Sequence, residues 1–319
     1  MNWSGALAAV DRPRLVVILG PTAAGKTEVA MEAAGRSGAE IVTADSMTVY
    51  RGLEQGTAKP SPQDRQSVPH HLLDVVDPTA SFSVARYQEL ARQAIDAINR
   101  RGKLPLLVGG TGLYISAVVD YPDFPPLPPR PEVRRRLTAA AGREGTASLH
   151  RELSRLAPDR AEAIHPNDRH RLLRALEIAG REAGERPPPP AYDLLLFGIQ
   201  RDRAELYRRI EARVDRMFAA GLLEEVAGLR AAGVRREHQS MQALGYREAM
   251  AYLEGEYPRE HAIYLVKRNT RRYAKRQMTW FRRDPRIEWL TLDGQSARWA
   301  GQLIRERVAA RLGGIVELG

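Results

Sequence analysis

The chain has 319 residues, enough for one well-developed core and a smaller second unit. With 43% hydrophobic and 28% charged residues it reads as an ordinary globular protein, and no run approaches the roughly 18 uninterrupted apolar residues of a membrane span. The absence of cysteine excludes disulfides, thiolate nucleophiles and Cys-based zinc sites, while a net charge of +10 favours polyanionic partners. A cytoplasmic protein is the expectation, since Met1 to Val10 carries no basic residue ahead of its short apolar stretch and so does not read as an export signal; with no obligate protein partner evident, a monomer is expected.

In chain order, Arg14 to Leu19 is an apolar, β-branched run that ends at Gly20, and helix-forming sequence follows from Lys26 to Ala34. A second short strand is predicted over Glu40 to Thr43, ending at Ala44-Asp45-Ser46. From Val84 to Arg101 apolar residues recur at the helical period, and Leu104 to Val108 then reads as a buried strand leading into Gly109-Gly110-Thr111-Gly112. Strands alternating with helices predict an α/β fold, a mostly parallel sheet flanked by helices. Six prolines between Tyr121 and Pro131, and four from Pro187 to Pro190, punctuate the chain. Between them lies Arg- and Leu-rich helical sequence (Val133 to Ala141, Ser148 to Leu156, Asn167 to Ala183), which we read as a helical insertion over 122–190. Asp193 to Ile199 returns as a strand, followed by helices over Arg203 to Ala220, Leu222 to Ala232, Tyr246 to Leu253 and Glu260 to Arg282, and a last strand over Ile287 to Leu292.

The strongest chemical signal is Gly20-Pro21-Thr22-Ala23-Ala24-Gly25-Lys26-Thr27, a full match to G-x-x-x-x-G-K-[ST] between a strand and a helix. Its glycines let N–H groups turn inward around a phosphate, Lys26 brings a mobile positive charge, and Thr27 offers a hydroxyl to Mg²⁺. Taken alone, the loop implies phosphate binding with ATP as the default ligand. Asp45, at the C-terminal end of a strand, faces the crevice where α/β sheets bind ligands. It reads as a metal-holding carboxylate, a general base or a turn residue. At Gly109 to Gly112 many P-loop enzymes would carry a metal-binding Asp, and this chain has none; Thr111 offers a hydroxyl there instead.

Basic residues cluster at His170-Arg171-Leu172-Leu173-Arg174, at Arg208, Arg209, Arg213 and Arg216, and from Lys267 to Arg283, where eight Lys or Arg occur without one acid. Such a helix can neutralise phosphates, and Trp280 could stack on a base or anchor the core.

The ordered set Gly20 to Thr27, Ala44-Asp-Ser-Met-Thr-Val-Tyr-Arg51, Gly56-Thr-Ala-Lys-Pro60, His70-His-Leu-Leu-Asp74, Gly109-Gly-Thr-Gly-Leu-Tyr114, His165-Pro-Asn-Asp168, Ala243-Leu-Gly-Tyr-Arg247 and Lys275-Arg-Gln-Met-Thr-Trp280 resembles the tRNA dimethylallyltransferases, from Leu15 to Trp289. The resemblance implies a P-loop NTPase-like sheet and transfer of a dimethylallyl group from its diphosphate to N6 of the adenosine 3′ to the anticodon. It implies that the P-loop holds diphosphate with Mg²⁺, that Asp45 is the general base, and that Thr111 and Arg213 contact the leaving diphosphate. It also puts tRNA contacts at Asp45, Ser46, Met47 and Thr48, at His170 to Arg174, at Gln242, Gly245, Tyr246 and Arg247, and at Lys275, Arg276, Gln277, Trp280 and Arg282. The insertion is expected to lean on the anticodon stem. Thr48 stands where many members carry Gln, Ala24 where Ser is frequent, and the lack of Cys points to the bacterial form. An ATP-dependent kinase, an enzyme prenylating free adenylate and a nucleotide-switch RNA-binding protein are the competing readings.

Overall fold

The computed structural model describes residues 12–35, 38–120, 130–179 and 192–312. Its strands are β1 (Arg14–Leu19), β2 (Glu40–Ala44), β3 (His70–His71), β4 (Pro105–Gly109), β5 (Asp193–Gln200) and β6 (Ile287–Thr291). They form one sheet in the order β3-β2-β4-β1-β5-β6, every pairing parallel. Central strands of such a sheet are covered on both faces, which is why β1 and β4 are apolar at nearly every position.

The helices are α1 (Lys26–Ala34), α2 (Pro62–Ser67), α3 (Val84–Arg100), α4 (Gly112–Val119), α5 (Pro131–Glu144), α6 (Thr146–Leu156), α7 (Pro158–Glu162), α8 (Arg169–Ile178), α9 (Arg203–Ala219), α10 (Leu222–Ala231), α11 (Tyr246–Leu253), α12 (Arg259–Phe281) and α13 (Ala297–Leu312). Alternation along β1 divides the core. Val16 and Ile18 pack with Val29 and Ala30 of α1 and Ile304 of α13. Leu15, Val17 and Leu19 face the other way, toward a cluster that includes Ile95 of α3 and Val266 of α12.

By compactness the chain divides into Met1–Pro122 with Pro189–Gly319, and Asp123–Pro188. The smaller unit holds α5 to α8 around Leu137, Leu149, Leu153, Leu172 and Leu176. Its buried Glu177 is held by Arg134 and Arg174. Most of the proline-rich sequence expected to bracket this unit, and helix beyond residue 179, lie outside the described residues, as does Met1 to Val10. Helix α5 begins at Pro131, two residues before the predicted start, because proline suits the first helical turn, where its missing N–H costs nothing.

At the sheet edge, Glu40 is 3% exposed and is met by His71, Arg101 and Lys103. Burial alone would raise its carboxyl, but hydrogen bonds from these three groups outweigh that and hold it at about 2. A depressed carboxyl contributes stability above the unfolded value of 4.5, lost as pH falls through the folded one. Glu40→Gln should therefore destabilise by about 1–2 kcal/mol near neutrality, less than a fully buried pair because its partners reach solvent. Thermal melts at neutral pH and at about pH 3 check this, the gap between the two proteins narrowing in acid.

Candidate active site

Three adjacent strands, β2, β4 and β1, end at the same edge of the sheet. The segment after each therefore enters one crevice: Asp45 after β2, Gly110-Thr111 after β4 and the P-loop after β1. Gly20 sits at φ 146° with no room for a Cβ, which would lie 2.3 Å from the Ile199 carbonyl oxygen. Ala23 is held at φ 64°, a conformation side-chain-bearing residues seldom adopt, as a loop wrapped around a ligand requires.

The loop is braced from outside by arginines. Arg201 Nε donates to the Ala24 carbonyl (3.0 Å) and Arg209 Nε to the Ala23 carbonyl (2.9 Å). One turn on along α9, Arg213 donates through Nη1 to Thr22 Oγ1 (3.2 Å) and through Nη2 to the Thr57 carbonyl (3.1 Å). Lys26 Nζ donates to the Pro21 carbonyl (2.8 Å). Burial and the neighbouring Arg213 push the Lys26 amine down to about 8, against the opposing pull of Asp45.

Two cavities meet here. The smaller, about 110 Å³, is lined by Lys26, Thr27, Asp45, Gly110, Arg213 and Gln277 among others. The larger, about 430 Å³, is walled by apolar Met47, Val214 and Met217 and rimmed by Gln242, Arg247, Arg272 and Arg276. Asp45, Thr22, Thr57, Arg213 and Tyr273 line both. Asp45 Oδ1 accepts from the N–H groups of Met47 (2.8 Å) and Thr48 (3.4 Å), so the turn role and the cavity position coexist in one residue. Thr111 Oγ1 accepts from the Ser46 N–H (3.2 Å), which ties the β4–α4 turn to the Asp45 loop.

Other residues expected at the site divide by burial. Asp45, Ser46, Met47, Gln242, Arg247 and Arg276 surround the larger cavity, and Lys275, Trp280 and Arg282 are exposed along or just beyond α12. In the helical unit His170 and Arg171 are exposed and Arg174 is half-buried. Leu172 and Leu173 instead fill that unit's core, so the helical period separates them from any RNA-facing stripe. Tyr246 is fully buried and Gly245 lies behind Met217 and Leu222; the Tyr246 hydroxyl accepts from the Gly56 N–H (3.1 Å) and donates to Glu225 (2.5 Å). Thr48 is 6% exposed and lines the smaller cavity, and Gln277 is also 6% exposed. These side chains are buried, and Thr48 and Gln277 face the smaller cavity. Trp280, for which a core role competed, is 43% exposed and lies against Gly112.

The family model described as "IPP transferase" matches residues 48–284. The chain belongs to this family. Its relatives include the tRNA dimethylallyltransferase of Desulforudis audaxviator, 51% identical over 88% of this chain and 93% of that one, and that of Moorella thermoacetica, 51% identical over 88% and 90%. Among solved structures, the full-length tRNA isopentenylpyrophosphate transferase of Bacillus halodurans is 42% identical, superimposes with a TM-score of 0.72 and covers 94% of this chain and 97% of its own. A eukaryotic dimethylallyltransferase described as acting on tRNA has a TM-score of 0.77 at 26% identity, covering 93% of this chain and 80% of its own. These neighbours share the P-loop-like parallel sheet of this family member.

Sequence reasoning missed Arg201 and Tyr273, and it assigned Arg209 only to a basic cluster. Arg201 follows a strand end as the P-loop does, which is the signal that could have marked it. Tyr273 is one polar residue in a helix full of them, and only the fold turns it inward.

Among the described residues, no group of three or more His, Cys, Asp or Glu gathers to hold a metal, and no helix is long and apolar enough to cross a membrane. Thr27 and Asp45 line the same small cavity. One hydroxyl and one carboxylate fit a Mg²⁺ that keeps most of its waters and is held largely by substrate phosphates.

Proposed function

We propose that this protein is a tRNA dimethylallyltransferase, which joins the dimethylallyl group of dimethylallyl diphosphate to N6 of the adenosine 3′ to the anticodon and releases diphosphate. The observation that carries this reading is Asp45 at the junction of the two cavities, one basic and phosphate-sized, the other partly apolar and rimmed by cations. The new bond forms between N6 and the allylic carbon as the carbon–oxygen bond to diphosphate breaks, and its electron pair leaves with the diphosphate. Asp45 takes the N6 proton during attack, because an aromatic amine is otherwise a poor nucleophile. The P-loop N–H groups, Lys26 and Arg213 meet the charge that grows on the leaving group, and Thr111, in the turn tied to the Asp45 loop, adds its hydroxyl. Thr27 would hold Mg²⁺, which when bound neutralises diphosphate charge. The allylic carbon is already activated, so ATP is not required. The adenine must leave its stack to reach Asp45, and the helical unit Asp123–Pro188 braces the anticodon stem while it does so.

The test uses labelled dimethylallyl diphosphate, Mg²⁺ and unmodified tRNA, with and without ATP. Label should enter tRNA without ATP. Label on free adenylate alone, or a strict need for ATP, would sink the reading. A second prediction concerns the outer face of α12, where Arg272, Lys275 and Arg276 are exposed. Replacing Lys275 and Arg276 by Glu should weaken tRNA binding and flatten the plot of log affinity against log salt by about 1–2 units. An unchanged slope would remove this helix from the interface.

A further inference from the structure

Gln277 lies in the basic helix α12, yet its amide is spent on the catalytic loops. Oε1 accepts from the Thr22 N–H of the P-loop at 2.9 Å, and Nε2 donates to the Gly110 carbonyl at 2.8 Å. One side chain thus bridges the loop after β1 and the turn after β4. The amide lies directly against the turn, where a Cβ added to Gly110 would press on Gln277 Nε2. One turn earlier on the same face, Tyr273 lines both cavities, and its hydroxyl lies close to the Thr111 and Gln277 side chains. Burial foremost, and the nearby Asp45 charge, push this phenol up to about 12, so it stays protonated.

Four segments far apart in sequence therefore meet through the Gln277 and Thr111 side chains: α12, the P-loop and the β4–α4 turn through Gln277, and the Asp45 loop through Thr111 and Ser46. A donor at Thr22 N that is committed to Gln277 cannot also be a phosphate donor. Its bond fixes where the rest of the P-loop presents its N–H groups. Likewise, the Thr111 hydroxyl can aim one way only if its partners are fixed.

We infer that Gln277 and Tyr273 are positioning residues for prenyl transfer, holding the P-loop and the Thr111 hydroxyl in register with Asp45. The inference rests on the reading of the site as a diphosphate-leaving prenyltransferase. It takes Gln277 out of the RNA contact surface and gives that part of α12 two jobs on two faces: exposed cations outward, loop-setting amide and phenol inward. Displacing reacting groups by about 1 Å is enough to cost up to about 10²-fold in rate.

Gln277→Met keeps volume and removes both hydrogen bonds; Tyr273→Phe removes one oxygen and keeps the ring. Both should lower kcat by about 10–100-fold while tRNA affinity and its salt dependence stay at wild-type values. The deciding measurement is a double-mutant cycle with Thr111→Val. Because Tyr273 acts through Thr111, Tyr273→Phe should cost little further in the Thr111→Val background. Full additivity of the two losses would overturn the role of Tyr273. A Gln277→Met protein with normal kcat but weakened, less salt-dependent tRNA binding would return Gln277 to the RNA surface. If Gln277→Met does not fold, Tyr273→Phe and its cycle still decide. A wild-type protein without prenyl transfer to tRNA would instead refute the functional reading itself, and diphosphate binding measured by calorimetry tells the two failures apart.

Discussion

Asp45→Asn should reduce kcat for prenyl transfer by about 10²–10⁴-fold while leaving the affinity for dimethylallyl diphosphate near that of the wild type. The substitution is chosen for what it preserves. An Asn oxygen can still accept from the Met47 and Thr48 N–H groups that Asp45 Oδ1 holds at 2.8 and 3.4 Å, so the loop keeps its turn. What disappears is the lone-pair basicity of a carboxylate beside the attacking amine. This separates the three roles the residue could have from its position. A turn residue would tolerate Asn with turnover within about threefold of wild type. A carboxylate that mainly held Mg²⁺ would lose Mg²⁺-dependent diphosphate affinity together with rate. A general base loses rate alone. Single-turnover rates and diphosphate calorimetry, with and without Mg²⁺, on the same two proteins give the answer. Turnover close to wild type, or a loss of affinity matching the loss of rate, would remove the base assignment.

The features legible in the sequence were those whose physical cause is local. Strands β1, β4 and β5 are covered on both faces, so they appear as short apolar runs, and the P-loop announces itself because its turn demands glycines at fixed offsets. Strand β3 is two residues of histidine at the sheet edge, with no apolar pattern to mark it. Helix α13 escaped because its apolar stripe of Ala300, Ile304 and Val308 is thin and set among arginines. In the site, Asp45 was readable as an acid at a strand end, whereas its Asx turn depends on the backbone beyond it. On α12 the sequence presents Arg272, Tyr273, Lys275, Arg276 and Gln277 as one polar run. Only packing against the P-loop tells the outward members from the inward ones. Thr48, Leu172, Leu173, Tyr246 and Gln277, which the resemblance puts among the tRNA contacts, are all buried, and a contiguous motif cannot say which of its residues face inward.

Arg213→Gln should lower kcat/KM for dimethylallyl diphosphate by about 10²–10³-fold, with kcat carrying the larger share. Arg213 is a forked donor anchored at two points, Thr22 Oγ1 on the P-loop and the Thr57 carbonyl beyond β2, and it lines both cavities. Its charge is held there against a burial penalty, which pushes its pKa down despite the pull of Asp45. A cation kept beside another cation, Lys26, is costly in the free protein and becomes favourable when a diphosphate lies between them. The charge on that diphosphate increases as the carbon–oxygen bond breaks, so the benefit is greatest in the transition state. Gln can replace one hydrogen bond but brings no charge. The loss should be softened slightly, because Lys26, freed from repulsion by Arg213, holds its proton more firmly. Arg213→Lys separates charge from geometry: a single ammonium cannot serve Thr22 and Thr57 together, so it should recover only part of the loss. Complete recovery by Lys would mean that charge alone matters. Activity of Arg213→Gln within about threefold of wild type would remove Arg213 from the leaving-group site altogether.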